Sequence, residues 1–141
     1  MITIGFTGTR KGMTDKQKAA LKELLESYSP KRIYFIHGDQ GVYRPGKGYI
    51  GADCEAHKIA LECGCVVWIY PCNLAAQRAF CRGAKLVEEP KAPLDRNHNI
   101  VLSSDLLVAA PSSLKEELRS GTWATIRYAR KTGKEVKILE P

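Results

Sequence analysis

Apolar positions along this chain follow two alternating rhythms. Residues 2–6 (ITIGF), 32–37 (RIYFIH), 66–70 (VVWIY) and 106–110 (LLVAA) are short runs rich in β-branched, aromatic and aliphatic side chains, the pattern of buried strands. Between them, apolar residues recur three and four apart, as on one face of a helix. Leu21, Leu24, Leu25 and Tyr28 form one such stripe, preceded by Thr14-Asp15-Lys16-Gln17, which fits a capping box. Pro30 is expected to end that helix. Ala52, Ala56, Ile59, Ala60 and Cys63 form a second stripe, with Asp53 placed to cap it and Gly64 to end it. Residues 94–103 predict a third helix. Residues 122–132 predict a fourth, with Arg130 and Lys131 in its last turn and Gly133 just beyond. A last strand is expected over 135–139. The weakest pattern lies between Pro71 and Pro93, where a short helix over 74–80 and a short strand over 84–87 are the best fit.

Strands alternating with helices predict one α/β domain over residues 1–141, with a mostly parallel twisted sheet and helices on both faces. In that arrangement the loops 7–12, 38–53, 71–73 and 111–122 gather on the carboxyl edge of the sheet. Ligands of α/β sheets bind at such an edge. The centre of the reading is residues 104–129, where a buried strand leads through a loop to Ser120-Gly121-Thr122 and a helix. Unpaired N–H groups and the positive end of a helix dipole favour an anion at such a point, and glycine lets a phosphate approach the main chain. The plainer alternative is that Ser120 or Thr122 caps the helix and Gly121 turns the chain.

Composition narrows the class. The chain is 44% hydrophobic and 26% charged with no long apolar span, so a globular domain is expected rather than a disordered or membrane-embedded one. The opening Met1-Ile2-Thr3-Ile4 leads straight into a strand pattern and resembles no signal peptide, so a cytoplasmic location is expected. Lys and Arg number 22 against 15 acidic residues, a formal charge of +7, which favours nucleotides, nucleic acids or phosphorylated metabolites as partners. Cys63, Cys65, Cys72 and Cys81 lie close together, yet Cys63-x-Cys65 lacks the spacing of zinc knuckles. Reduced core or surface thiols are expected, with no metal and no resident cofactor.

Taken in order, T-G-T-R at 7–10, H-G-D at 37–39, G-A-D-x-x-A at 51–56, R-N at 96–97, D-L-L-V-A-A-P at 105–111 and G-T-x-x-T at 121–125 resemble the SLOG superfamily. That is the Rossmann-like group that includes DprA and the Lonely Guy phosphoribohydrolases. The resemblance implies a nucleotide or nucleotide-derived ligand. It implies that Gly8, Thr9 and Arg10 form a first phosphate-side turn, that Gly38, Gly51 and Asp53 form a second, that Arg96 and Asn97 lie near the site, and that Gly121 and Thr122 cradle a phosphate. A homo-oligomer is also expected of such a chain. Two departures stand out. Thr125 occupies the position of the Lonely Guy catalytic glutamate, and the segment between Gly38 and Gly51 is longer than usual, with Tyr43, Arg44, Lys47 and Tyr49 in what reads as a surface loop.

Several side chains admit two uses each. Asp53 suits a ribose contact or a helix cap, and His57, one turn later, suits a surface ion pair with it. His37, at a strand end, suits either the site or a satisfied burial. Arg10, Arg96 and Arg119 suit bidentate phosphate binding, beside Ser120. Glu116 and Glu117 could stand in for the missing glutamate, and Trp123 and Tyr128 suit base stacking or core packing. Three functions remain open: a binding protein acting as sensor, carrier or sequestering protein, a nucleotide hydrolase, and a DprA-like binder of single-stranded DNA.

Overall fold

The computed structural model describes residues 1–28 and 32–141, so the expected helix end at Pro30 lies outside the described residues. Six strands, β1 (Ile2–Gly8), β2 (Ile33–His37), β5 (Val66–Ile69), β6 (Leu86–Val87), β7 (Leu106–Ala110) and β8 (Glu135–Ile138), form one sheet in the order β6-β5-β2-β1-β7-β8. Every pairing in it is parallel. The helices are α1 (Asp15–Ser27), α2 (Ala52–Glu62), α3 (Pro93–Leu102) and α4 (Gly121–Lys131). The direction of winding reverses between β1 and β7, which sets a switch point at their carboxyl ends.

Alternation along the strands sorts side chains to two cores. Ile4, Phe6, Phe35, Val67, Ile69, Leu106 and Val108 pack with Leu21 and Leu25 of α1 and Ala56 and Ala60 of α2. Their neighbours in sequence, Ile36, Leu107 and Ala109, face the other side with Ile100 and Val101 of α3 and Trp123, Ile126 and Ala129 of α4. Each residue of β7 is buried. That is why residues 106–110 are apolar without a break: a parallel strand covered on both faces has no wet side.

The structure corrects four local expectations. Residues 40–50 are not an irregular loop throughout: β3 (Val42–Arg44) and β4 (Gly48–Ile50) form an antiparallel hairpin in which Tyr43 pairs with Tyr49. Gly46, in its turn, and Gly48, the first residue of β4, both have positive φ. The helix expected over 74–80 shrinks to one 3₁₀ turn at Ala75–Gln77. The chain beyond is drawn out by an antiparallel bridge from Arg78 to Gln40 and by the Ala79 N–H donating to the Asp39 carbonyl at 2.8 Å. The strand expected over 84–87 keeps only Leu86–Val87. Asp53 is not the cap of α2. That position is Gly51, held at φ 142°, ψ 157°, a conformation open essentially to glycine alone. By contrast, the Thr14–Gln17 capping box is present and Ser120 caps α4 through Trp123 N.

Candidate functional site

The carboxyl edge divides into a closed half, around the ends of β2 and β5, and an open half, around the ends of β1 and β7. The closed half begins at His37, which is fully buried. The Asp39 N–H donates to His37 Nδ1 at 2.9 Å, so the proton of this ring sits on Nε2 and points at Nδ1 of His57, also 2.9 Å away. His57 then donates from Nε2 to the Arg82 carbonyl at 2.6 Å. Both imidazoles are satisfied as neutral rings. Burial, reinforced by His57 and Arg96, lowers the pKa of His37 from 6.5 to about 3. The expected surface ion pair between Asp53 and His57 does not form, because α2 turns both residues inward.

Asp39, also fully buried and at φ 57°, gathers a separate segment. Its carboxylate accepts from Arg78 Nε and Nη2, both at 3.2 Å, from Phe80 N at 3.1 Å and from Cys81 N at 3.0 Å. Asp53 Oδ2 accepts from Gln40 N at 2.9 Å. Burial raises its pKa from 3.8 to about 6, against the pull of Arg96 and of the N–H groups of Gln40 and Gly38. Arg96 is itself buried. Its Nη1 donates to the Gly38 carbonyl at 2.5 Å and its Nε to Asn97 Oδ1 at 2.7 Å. A Cβ at residue 38 would lie 2.3 Å from Arg96 Nη1, so this packing admits only glycine.

The open half is built differently. Gly8 pairs with Ala110, and the Thr9 N–H donates to the Ala110 carbonyl at 3.0 Å, which joins the β1 turn to the start of the loop after β7. Arg10 is exposed, and the Gln40 amide, turned with its oxygen toward the guanidinium, accepts from its Nε at 2.6 Å and its Nη2 at 3.1 Å. Gly8, Thr9, Arg10, Gln40, Gly51 and Asp53 line a crevice here that is too tight to admit a water molecule.

The loop from Pro111 to Ser120 is held by three side chains. Gln17, buried in α1, donates from Nε2 to the carbonyls of Pro111 at 2.7 Å and Leu139 at 3.0 Å. Trp123 Nε1 donates to the Ser113 carbonyl at 3.2 Å. Arg127 pairs with Glu116 at 3.0 Å and donates to the carbonyls of Glu117 and Leu118. So fixed, the loop delivers Arg119, Ser120 and Gly121 to the surface at the amino end of α4. Arg119 is exposed and in no ion pair among the described residues. The N–H groups of Gly121 and Thr122, in the first turn of α4, have no partner inside the helix.

The residues singled out in the sequence are therefore not one cluster. Gly8, Thr9, Arg10, Gly51 and Asp53 share the crevice, Arg119 to Thr122 lie at the neighbouring helix end, and His37, Gly38, Arg96 and Asn97 are internal braces. Trp123 is buried, and Tyr128 stacks on His98 with ring centroids 3.7 Å apart. Glu116 is engaged by Arg127, and Thr125 Oγ1 donates to the Gly121 carbonyl at 2.9 Å. Sequence reasoning overlooked Asp39, Gln40, Arg78 and Gln17. The signals were at hand in H-G-D and in the capping box, but their partners lie up to 122 residues away. Among the described residues, no cluster of three or more His, Cys, Asp or Glu is arranged to hold a metal ion, and no helix is long and apolar enough to cross a membrane.

No protein-family model matches the sequence, and neither does any curated protein. Solved structures do resemble it. The molybdenum cofactor binding protein from the phototrophic bacterium Rippkaea orientalis superposes with a TM-score of 0.70 at 17% identity, covering 97% of this chain and 75% of that one. The Moco carrier protein from Chlamydomonas reinhardtii gives a TM-score of 0.68 at 22% identity, over 98% and 75%. At such identities the shared property is the fold: a parallel six-stranded sheet between helices.

Proposed function

We propose that this chain is a SLOG-type protein that binds a phosphate-bearing, nucleotide-like small molecule at the open half of the carboxyl edge, as a sensor or carrier. The observation that supports it most is Gly121. A Cβ there would meet nothing within 4 Å, and its φ is not one that excludes other residues. The fold has no need of glycine at this position, but a phosphate drawn close to the first N–H groups of α4 has. Arg10 and Arg119 supply exposed cations at this half of the edge, and Gln40 holds the Arg10 guanidinium in one orientation. The proteins of this fold named above bind or carry a small cofactor, which is in keeping with a carrier.

Hydrolysis is the weaker reading. Thr125 offers no carboxylate where the Lonely Guy enzymes have one, and its hydroxyl is spent on its own helix. The DNA reading is favoured only by the hairpin, whose exposed Tyr43 and Tyr49 rings meet edge to face at 5.4 Å beside Arg44 and Lys47. Binding by that hairpin should fall steeply with salt.

The test is calorimetric titration of the purified chain with nucleoside monophosphates, ADP-ribose and the molybdenum cofactor. One of these is expected to bind, and Gly121→Ala is expected to weaken it about tenfold or more while leaving the melting temperature within a few degrees. If no phosphate-bearing ligand binds at millimolar concentration, or if Gly121→Ala binds as the parent does, the reading fails.

A further inference from the structure

A second opening lies on the α3 side of the sheet. It is a cleft of about 200 Å³ between the end of β5, the chain that continues β6, and α3, and Tyr70, Glu88, Glu89, Lys91, Arg96 and Ser103 all contribute to its wall. The volume suits a single ring system rather than the roughly 300–1,000 Å³ of a site for a whole drug-sized ligand. The walls are rigidly built. The Glu88 N–H donates to the Ile69 carbonyl at 2.8 Å, the Lys91 N–H to the Pro71 carbonyl at 3.1 Å, and Tyr70 Oη to Ser103 Oγ at 3.0 Å.

One polar atom of a residue in this wall is left over. Arg96 is only 4% exposed, and its Nε and Nη1 are engaged by Asn97, Gly38 and Tyr70. Its Nη2 makes no hydrogen bond among the described residues. Yet no buried side-chain nitrogen or oxygen there lacks a partner, so Nη2 retains solvent access, and Arg96 is one of the residues that line the cleft. A fixed, 96%-buried cation with a free N–H wants an acceptor oxygen. Glu88 and Glu89 line the same opening as Lys91 and Arg96, so its wall carries charges of both signs and gives a bare anion no net attraction. They favour a group that presents N–H donors beside its acceptor.

We infer that this cleft is a subsite for a guanine-type ring: the lactam oxygen accepts from Arg96 Nη2, and the adjoining N–H and amino groups donate to Glu88 or Glu89. Adenine reverses that pattern, setting an amino group against the guanidinium and a lone pair against a carboxylate. Tyr70 and Pro71 supply the less polar wall for the ring face. The inference rests on the phosphate reading above only for where the rest of a nucleotide would lie; nucleosides test the ring by itself.

The experiment is titration of the full chain with guanosine, inosine and adenosine, then with GMP and AMP. Guanosine is expected to bind about tenfold or more tightly than adenosine, with inosine, which lacks the 2-amino group, between them. The Glu88→Gln/Glu89→Gln double variant, altered only at exposed side chains, is expected to lose that order while keeping its melting temperature. Equal binding of guanosine and adenosine, no binding of either, or an order that survives in the double variant would overturn the assignment. GMP and AMP bound equally, and both weakened by Gly121→Ala, would remove the ring subsite and leave the phosphate site. Guanosine bound selectively with no gain from a phosphate would do the reverse.

Discussion

The closed and open halves of the carboxyl edge both gather polar residues and put them to opposite uses. Around β2, the polar groups of His37, Asp39, Asp53, His57 and Arg96 are buried and spend hydrogen bonds on one another, on the side chains of Arg78 and Asn97, or on main chain. Around β1 and β7, Arg10, Arg119 and Gly121 are exposed, on turns held from behind by Gln17, Trp123 and Arg127. A buried polar group must be satisfied within the protein, and once satisfied it has little left for a ligand. The lesson is that a conspicuous polar motif marks a site only where burial leaves an atom unspent. Arg96 crosses the division: two of its nitrogens brace Gly38, Tyr70 and Asn97, and the third does not.

Substitutions should separate the halves by their effect on stability. The largest loss is expected from Asp39→Ala, which strands the Arg78 guanidinium, whose side chain is 15% exposed, and the N–H groups of Phe80 and Cys81. Breaking such a buried pair costs about 3–5 kcal/mol, read as a lower midpoint in guanidinium unfolding. A loss below about 1 kcal/mol would mean that residues 78–81 are not braced by Asp39.

Acid titration gives the next effect, and its sign differs between two groups. The folded pKa of His37 is lowered from 6.5 to about 3, so its contribution is complete above pH 6.5 and is lost as the pH falls through that window. The folded pKa of Asp53 is raised from 3.8 to about 6, so the fold gains from its protonation as the pH falls from about 6 to 3.8. The two slopes oppose one another over that shared range. Asp53→Asn removes one of them, so the variant should lose stability on acidification more steeply than the parent, by up to about 1.4 kcal/mol per pH unit. Parallel curves of unfolding free energy against pH would show that Asp53 is not held protonated by burial.

The smallest effect on stability is expected in the open half. Arg119→Ala should move the unfolding free energy by no more than about 0.5 kcal/mol, as for surface positions without partners, while reducing the affinity for a phosphate-bearing ligand. A stability loss comparable to that of Asp39→Ala would erase the distinction between the halves.

Much of this was legible beforehand, for identifiable reasons. The strand runs at 2–6, 32–37, 66–70 and 106–110 each fall on a strand, because a parallel sheet covered on both faces demands unbroken apolar runs. The carboxyl end of α4 was readable from Gly133, since caps are local. Its amino end was read within a residue, with Ser120 and Thr122 both open as the cap that the structure assigns to Ser120. The 40–50 hairpin and the 74–80 turn were not. Their shapes depend on partners far along the chain: Arg78 answers to Gln40 and Asp39, not to its neighbours.

By itself the sequence determined the layers, the strand-to-helix loops and the residue types that gather at one edge, since periodicity, capping and turn chemistry act over a few residues. Only the tertiary structure decided which of those residues are spent. Whether His57 meets Asp53 or His37, whether Gly51 or Asp53 opens α2, and which nitrogen of Arg96 is left free all depend on what packs against them. Burial and hydrogen-bond satisfaction are properties of the assembled fold, because each is fixed by atoms brought together from distant parts of the chain.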